Sequence, residues 1–446
     1  MVSGLALLVA ACGSDGGDSA AEATTTEATT ATTAEAAETT EAAETTEAAT
    51  DTTMVEETTT TEYVAPARGD ADLVIWADPT TQVPVVEPLA AQFAEEEGLN
   101  VSVLGVPGDK IRDQLAKAGP AGEGPDIIIG AHDWLGELVA NGAVIPIDLG
   151  ADVDNYADVA IQGFSYDGKL YGLPFAVENV ALIRNVDLVP ESPATWEDLE
   201  ATALQLAADG TVEIPLALQE NGNGDPYHNY PLFTGYGGYV FGTNPDGSYN
   251  PDDLGIDSPG ALAAAEAFAR WSEEGLVSKD ISFDIMKESF MSGKAPFAIT
   301  GPWSVGDFTD AGVNFVVEPI PSVNGNTPKV FVGVQGFMIS SFSEAQDAAK
   351  TFLLDYINSE ELQLAMYEAG NRPPAMTSAF EKIASDPIPY GFGLSAVNGQ
   401  PMPAIPAMAS VWDSWTSAYE LVFTGTDPDT AFTEAAAAIR EKIAGG

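Results

Sequence analysis

Polar and aromatic side chains come directly after an apolar run that is typical of a buried strand. In "DIIIGAHDW" the apolar run ends in His132, Asp133 and Trp134. A core strand does not need a carboxylate and an indole at one end. Carboxylates accept hydrogen bonds from hydroxyl groups, and indole faces offer large rigid apolar surfaces. This combination indicates a site for a sugar.

Similar signals stand at the ends of other segments. Trp303 follows a glycine and a proline in "TGPW", directly after the strand-like run "APFAIT", so its ring is expected to be exposed. The other aromatic candidates are Tyr227, Tyr230, Trp134 and Trp412, and the candidate carboxylates are Asp109, Asp133, Glu178 and Glu220. For each carboxylate the alternative is a solvated surface position, since the chain has 68 acidic residues.

Three further tryptophans have a simpler interpretation. Trp196 and Trp271 lie within helical patterns and are expected in a core. Trp415 follows Trp412 by three residues, which puts both on one helix face. One of these two indoles is therefore expected to be structural.

The sequence predicts no catalytic residue, no metal and no cofactor. Gly122 and Gly124 precede a strand rather than a helix, so they do not form a phosphate-binding loop. No Gly-x-Ser-x-Gly motif is present, and His132 has no evident Ser or Cys partner, so His132 is expected to be buried and structural. Two histidines in the whole chain argue against a His-rich zinc site.

Composition limits the protein class. The 446 residues, 45% of them hydrophobic, are sufficient for two lobes. The formal net charge of −52 argues against nucleic acid as a partner, because phosphate backbones require a basic surface. A single cysteine excludes an intramolecular disulfide framework.

That cysteine, Cys12, ends the segment "MVSGLALLVAAC". Residues 1–12 resemble a bacterial lipoprotein signal, in which the cysteine is lipidated, but the usual basic start is missing. We therefore expect the natural start to lie upstream of Met1. The alternative is an ordinary secretory signal with an incidental cysteine.

Residues 13–68 differ in composition from the rest. They are rich in Thr, Ala and Glu and carry few large apolar side chains, so they are predicted to be a disordered tether. Repulsion between the acidic side chains extends such a segment. A lipid anchor and an extended tether would hold a folded domain away from a membrane.

Strands alternate with helices after residue 72, which predicts an α/β lobe with a parallel sheet. The runs "LVIWA", "VSVLGV" and "DIIIG" are predicted strands, and 84–97 and 109–119 are predicted helices. Thr195 and Asp198 have capping-box spacing, so a helix should begin near Trp196. Further helices are predicted at about 259–274, 284–292, from 343 onward and at the C-terminal end, and further strands at "APFAIT" and "VFVGVQGFMIS".

Several of these segments together resemble one family. "GPDIIIGAHDWLGEL", "YDGKLYGLPFAVENVALIRN", "PATWEDLEA", "PLALQE", "YPLFTGYGGYVF", "FMSGKAPFAITGPWS", "FVGVQGFMIS" and "PMPAIPAMASVW" occur in the order found in the solute-binding proteins of ATP-binding-cassette (ABC) importers. They are most similar to the maltose- and maltodextrin-binding proteins. The resemblance covers the chain from about residue 70 to its end.

The resemblance implies an α/β, two-lobed, periplasmic-binding-protein-like fold with a hinge and a ligand cleft between the lobes. It assigns residues 69–178 and 336–372 to the N-lobe, and residues 179–335 and 373–446 to the C-lobe. Ligand binding in such proteins shifts an equilibrium between open and closed lobes.

The resemblance also assigns roles to single residues. Asp133 and Glu178 match positions that hydrogen-bond sugar hydroxyls, and Glu220 matches a further one, although "NGNGD" is inserted after it. Tyr227, Trp303 and Trp412 match aromatics that stack on sugar rings. Asp109 and Lys110 loosely match a polar pair of the first lobe.

The chain departs from the family pattern on the first lobe. Gly130 replaces an indole, and Trp134 replaces an arginine four residues later. A lysine in the loop after the first strand is absent, which leaves Asp78 as the nearest polar match. The expected ligand is therefore an oligosaccharide of the maltose, maltodextrin or trehalose type.

The expected protein is a monomeric, non-catalytic, extracytoplasmic lipoprotein. Its partners are the oligosaccharide and the permease subunits of an ABC importer, and it contacts the membrane only through its anchor. Two alternatives remain open. One is a protein of the same fold for another solute, such as ferric ion bound through Tyr236 and Tyr239. The other is a glycoside hydrolase, which also needs two carboxylates around a sugar.

Overall fold

The computed structural model describes residues 63–245 and 247–445. The predicted signal with Cys12, and the predicted tether as far as residue 62, lie outside these residues. No helix in the described ranges is both long and apolar enough to cross a membrane.

Strands and helices alternate along most of the described chain. The strands are β1 Leu73–Ala77, β2 Val101–Gly105, β3 Ile127–Ala131, β4 Val144–Ile145, β5 Ser165–Tyr166, β6 Lys169–Leu170, β7 Gly172–Glu178, β8 Ala181–Asn185, β9 Ala217–Leu218, β10 Phe241–Thr243, β11 Tyr249–Leu254, β12 Phe297–Thr300, β13 Phe315–Glu318, β14 Phe331–Ser340 and β15 Gln400–Pro401. The helices are α1 Val83–Glu97, α2 Gly108–Ala118, α3 Leu135–Ala140, α4 Asp158–Gly163, α5 Trp196–Ala208, α6 Pro226–Gly235, α7 Pro259–Glu273, α8 Phe283–Met291, α9 Val305–Asp310, α10 Gln346–Thr351, α11 Glu360–Gly370, α12 Thr377–Ile383, α13 Pro387–Ala396, α14 Trp412–Phe423 and α15 Pro428–Gly445.

The first sheet has the order β15-β14-β3-β1-β2, with β4 and β7 also paired to β14. The three predicted strands β1, β2 and β3 are parallel, as their alternation with helices predicts. Every residue of β1 is buried, because helices cover both faces of this central strand. The long strand β14 runs antiparallel to β3 and β7.

The second sheet has the order β13-β8-β12-β9, and β10 and β11 form a separate hairpin. The first sheet packs in one core, and the second sheet packs in a separate large core and in a smaller cluster with α8 and α9. The first core includes Trp76 and Phe93, and the second includes Trp196, Trp271 and Trp415. The predicted burial of Trp196 and Trp271 is confirmed, and of the pair Trp412 and Trp415 it is Trp415 that is buried. Two sheets with separate cores form the two-lobed α/β architecture that the sequence predicts.

The chain passes between the cores near the residues that the sequence indicates. Glu178 ends β7, and Val180 already packs in the second core. Within β14, Phe331 packs in the second core and Val334 in the first. Ala379 packs in the first core as well, although it lies beyond the predicted boundary at 372. The exact boundaries stay a prediction, and these contacts favour a later third crossing.

Residues 63–68 pack on the first lobe, whereas the predicted tether runs to residue 68. The Gln114 side chain accepts a hydrogen bond from the Ala65 N–H and donates one to the Tyr63 carbonyl. Arg68 forms an ion pair of 2.8 Å with the buried Asp126. Specific polar partners on the lobe therefore hold Tyr63, Ala65 and Arg68, which lie within the residues predicted to be the tether.

Helix α5 begins with the predicted capping box. The Asp198 N–H donates to the Thr195 hydroxyl at 3.1 Å, and the Thr195 N–H donates to the Asp198 carboxylate at 3.2 Å. These bonds satisfy two of the N–H groups that a helix start leaves without partners.

We expect Thr195→Ala to lower the free energy of unfolding by about 1 kcal/mol, through loss of this cap. Thr202→Ala is the matched control, because Thr202 lies on the exposed side of the same helix and bonds only to the Asp198 carbonyl. Urea unfolding of both variants measures the difference. Equal midpoints for the two variants would contradict the capping role.

Candidate functional site

A cleft of about 720 Å³ lies between the two lobes. Of the predicted ligand-binding residues, Asp78, Asp109 and Trp134 line it from the first lobe and Trp303 lines it from the second. The wall is polar and carries carboxylates from both lobes. A cleft of this size matches the volumes at which proteins hold small ligands.

The two indoles of the cleft reach it through the same local arrangement. Strand β3 is followed by a 3-10 turn over His132–Trp134, and β12 by one over Pro302–Ser304. Each ring folds back over a glycine. A Cβ at Gly130 would lie 2.0 Å from the Trp134 ring, and one at Gly301 would lie 2.2 Å from the Trp303 ring. Each glycine therefore provides the space that its indole occupies.

Trp303 lies in a group of aromatic and cationic side chains. Its ring centroid is 6.2 Å from that of Tyr227 and 5.9 Å from that of His228, whose ring meets it edge-on. The guanidinium carbon of Arg372 lies 5.7 Å from the same ring, within the range of a cation–π interaction. The structure thus brings two predicted aromatic residues together, with Arg372 beside them.

Glu178 lies 7% exposed at the end of β7 and is held by two donors. The Gln335 amide donates to one carboxylate oxygen at 2.8 Å, and the Arg372 Nε donates to the other at 2.5 Å. Gln335 and Arg372 line the cleft, and the sequence interpretation missed both. Gln335 could have been noticed as the one strongly polar residue of the apolar run in β14. Arg372 stands in a loop with no comparable signal.

Asp133 lies in the same turn as Trp134 but does not line the cleft itself. Burial raises the pKa of the Asp133 carboxyl to about 6, and the charge of Glu178 raises it further, while Arg112 and a hydrogen bond with Trp412 act in the opposite direction. Trp412 begins α14 and stacks at 6.3 Å on the buried Trp415. Asp133 and Trp412 are therefore neighbours, although they belong to different lobes.

Tyr227 belongs to the same electrostatic neighbourhood. Burial raises the pKa of its hydroxyl well above the usual value, and the nearby charges of Glu178 and Asp133 add to this effect. The hydroxyl is therefore protonated at every physiological pH. Asp133 and Glu178 of the first lobe lie close to Tyr227, Trp303 and Trp412 of the second lobe, and the five form one group beside the cleft.

His132 has the structural position that the sequence predicts. It is fully buried, its Nδ1 accepts the Val334 N–H at 3.0 Å, and its Nε2 lies 3.0 Å from the Met402 carbonyl. Burial lowers the pKa of His132 to about 4, so the ring is neutral and donates from Nε2. It fixes the turn that carries Asp133 and Trp134.

Glu220 and Lys110 lie apart from the cleft wall. Glu220 is fully buried, accepts hydrogen bonds from the Asn229 side chain and the Asp225 N–H, and has a pKa raised well above its usual value by burial. Lys110 is exposed and pairs with Asp109 at 2.8 Å. The insertion after Glu220 turns the chain back over this carboxylate, which places it within the second lobe.

The cleft wall is more acidic than basic. Lys287 is paired with Asp307 at 2.6 Å, and the Asp78 carboxylate accepts hydrogen bonds from the N–H groups and hydroxyls of Thr80 and Thr81. Within the described ranges, no group of three or more His, Cys, Asp and Glu residues is placed to hold a metal ion. Acceptor-rich walls of this kind suit a ligand with many hydroxyl donors.

The raised pKa of Asp133 predicts a specific pH dependence. Because the folded state holds this proton more tightly than the unfolded state does, the contribution of Asp133 to stability is present below about pH 4 and is lost as the pH rises towards 6. We expect Asp133→Asn to stabilise the protein at pH 7 relative to wild type, by up to about 3 kcal/mol, and to do so less at pH 4.

Chemical unfolding between pH 4 and pH 7 measures this difference. Asp413→Asn serves as the control, because Asp413 is an exposed residue of α14. Parallel stability curves for wild type and Asp133→Asn would show that the Asp133 carboxyl ionises equally in the folded and unfolded states.

Comparison with known proteins agrees with this geometry. The family model described as bacterial extracellular solute-binding protein matches residues 88–389. The galactooligosaccharide-binding protein of Bacillus subtilis is 34% identical over 84% of this chain and 90% of its own length. A maltooligosaccharide ABC transporter solute-binding lipoprotein of Streptococcus pneumoniae is 29% identical over 80% of this chain and 86% of its own length.

The solved structure of the Thermus thermophilus maltotriose-binding protein with maltotriose has the same two-lobed fold. It superimposes with a TM-score of 0.76 and 28% identity, over 83% of this chain and all of that one. The chain belongs to the family of bacterial extracellular solute-binding proteins.

Proposed function

We propose that this protein captures an oligosaccharide of the maltodextrin type in its interlobe cleft and delivers it to the permease of an ABC importer. One observation carries the proposal. Trp134 and Trp303 line the same cleft from opposite lobes, among carboxylates that accept hydroxyl protons. Apolar ring faces and hydroxyl groups are the two surfaces that a sugar presents.

The proposed ligand contacts follow from this arrangement. Trp303 and Trp134 stack on sugar rings, and Asp78 and Asp109 accept hydrogen bonds from hydroxyl groups at the first-lobe wall. Closure of the lobes brings in the inner group of Asp133, Glu178, Tyr227 and Trp412. Glu220 and Lys110 have weaker support, since neither lies on the cleft wall.

The relatives differ in the sugar that their names give. The Bacillus protein is named for galactooligosaccharides, and the Streptococcus and Thermus proteins for maltose-based chains. We assign the α-glucoside class because the second-lobe motifs around Tyr227, Trp303 and Trp412 match the maltodextrin pattern. Since first-lobe residues Gly130 and Trp134 differ from that pattern, a β-galactoside is the main competitor.

The direct test is tryptophan fluorescence of residues 63–446, titrated with maltose, maltotriose, trehalose, β-1,4-galactotriose, cellobiose and a ferric salt. A saturable change with maltotriose, at lower concentration than with the other ligands, supports the proposal. Saturation by β-1,4-galactotriose alone would change the assigned linkage, and saturation by ferric ion alone would replace the sugar with a metal.

We expect Trp303→Ala to weaken maltotriose binding by about 1–3 kcal/mol through loss of stacking area. Tyr390→Ala is the control, because Tyr390 is 57% exposed on α13 and does not line the cleft. Isothermal titration calorimetry of both variants gives the comparison. Unchanged affinity in Trp303→Ala would assign its indole to structure alone.

We infer that the protein binds its sugar without cleaving it. Both oxygens of Glu178 are engaged by Gln335 and Arg372, which supports a role in holding groups in place rather than in transferring a proton. Intact maltotriose after long incubation with the protein is the expected result. Release of glucose by wild type, together with no release by Glu178→Gln, would support a hydrolase instead.

We infer further that the protein is a monomer anchored outside the cytoplasm through Cys12. The support is the lipoprotein-like sequence around this residue and the lipoprotein named among the relatives. In cells producing the natural precursor, Cys12→Ser is expected to move the protein from the membrane fraction to the soluble fraction, because the lipid chain is lost. Deletion of residues 13–62 is the control and should leave the anchor and the sugar affinity intact. A Cys12→Ser protein that stays in the membrane fraction would exclude this anchor.

A further inference from the structure

Arg372 stands at a junction of both lobes and the cleft. It follows Asn371, which ends α11 in the left-handed conformation with φ of 56° and turns the chain towards the cleft. The Arg372 side chain is 20% exposed and lines the cleft. It contacts Glu178 on the hinge and Trp303 on the second lobe.

Only one edge of the Arg372 guanidinium is used by the protein. Its Nε donates to Glu178, and neither Nη atom donates a hydrogen bond to any residue in the described ranges. A guanidinium carries five N–H donors in a fixed plane, so four of them remain for a ligand. The Glu178 contact and the Trp303 ring fix the plane in which these donors lie.

The cleft needs such donors. Sugar ring oxygens and glycosidic oxygens can only accept hydrogen bonds, and the Asp carboxylates of the cleft can only accept as well. Among the described residues that line the cleft, two carry positive charge, and Lys287 is already paired with Asp307. Lys287 uses one of its three N–H donors on that pair, whereas Arg372 keeps four donors in one fixed plane, so Arg372 offers the larger set of unused cationic donors.

We propose that Arg372 is a sugar-binding residue of this chain, which donates hydrogen bonds from its two Nη atoms to ring or glycosidic oxygens of the oligosaccharide. The proposal rests on the proposed function and adds a residue to it. The Trp303 face and the Nη edge of Arg372 then contact neighbouring parts of one ligand, one by apolar packing and one by directed hydrogen bonds.

Calorimetry of Arg372→Lys and Arg372→Gln with maltotriose and with β-1,4-galactotriose tests the proposal. Loss of hydrogen bonds from a charged donor should weaken binding of the bound sugar by about 10- to 100-fold in both variants. Arg372→Lys keeps the positive charge beside Glu178 but lacks the two Nη groups of the planar guanidinium. Arg440→Lys is the control, since Arg440 pairs with Asp257 on the second-lobe surface. The sugar affinity of this variant should equal that of wild type.

Three outcomes would overturn the inference. Unchanged affinity in both variants would mean that Arg372 only neutralises Glu178, and stronger binding would mean that it blocks the Trp303 ring. Absence of binding by wild type with either trisaccharide would overturn the proposed function itself, and the inference with it.

A measurement on wild type covers the case in which the variants fail to fold. Phenylglyoxal modifies accessible arginines, and peptide mass spectrometry reports the extent at each one. Saturating trisaccharide should protect Arg372 several-fold and leave Arg440 equally modified. Equal modification of Arg372 with and without sugar would contradict the proposed contact.

Discussion

The geometry of the cleft depends on the hydrogen bonds that the Glu178 carboxylate accepts. It ends β7, accepts from Gln335 of β14 and accepts from Arg372 after α11. Each of these three segments carries the chain near the division between the two cores. A buried carboxylate needs charged or polar partners to offset its desolvation, and here the partners come from the other two segments. Residues far apart in the sequence therefore meet at the Glu178 carboxylate and connect the three hinge segments.

This arrangement couples the hinge to the wall of the cleft. Arg372, which compensates Glu178, also lies over the Trp303 ring of the second lobe. Movement of one lobe against the other must therefore change either the ion pair or the contact with the indole. Because His132 fixes the turn before Asp133 to β14 and to the Met402 carbonyl, the first-lobe wall moves with the same strand.

The fold could be predicted from the sequence wherever a local pattern decides the structure. The apolar runs of β1 and β3 and the capping box at Thr195 depend on neighbouring residues, and the structure has them where they are predicted. The antiparallel insertion of β14 between β3 and β7 depends on pairing with residues 155 to 212 positions away, which no local pattern contains.

The same difference between local patterns and contacts of distant residues applies to the candidate site. Trp134 and Trp303 were predicted from strand ends followed by glycine and aromatic residues, and the structure places both on the cleft. Arg372 and Gln335 were missed, because their importance comes from meeting Glu178 across the fold. Glu220 shows the opposite case: its motif matches the family pattern, but the "NGNGD" insertion lets the Asp225 N–H and Asn229 enclose its carboxylate.

The pair of Gly130 and Trp134 also constrains how this cleft could have changed during evolution. The Trp134 ring fills the space above Gly130, where even a single added carbon would lie 2.0 Å from it. A lineage that moves the indole from one position to the other cannot gain the new side chain at 130 while Trp134 is present. The two positions therefore exclude one another, and an exchange between them passes through a first-lobe wall that has Asp78 and Asp109 but no indole.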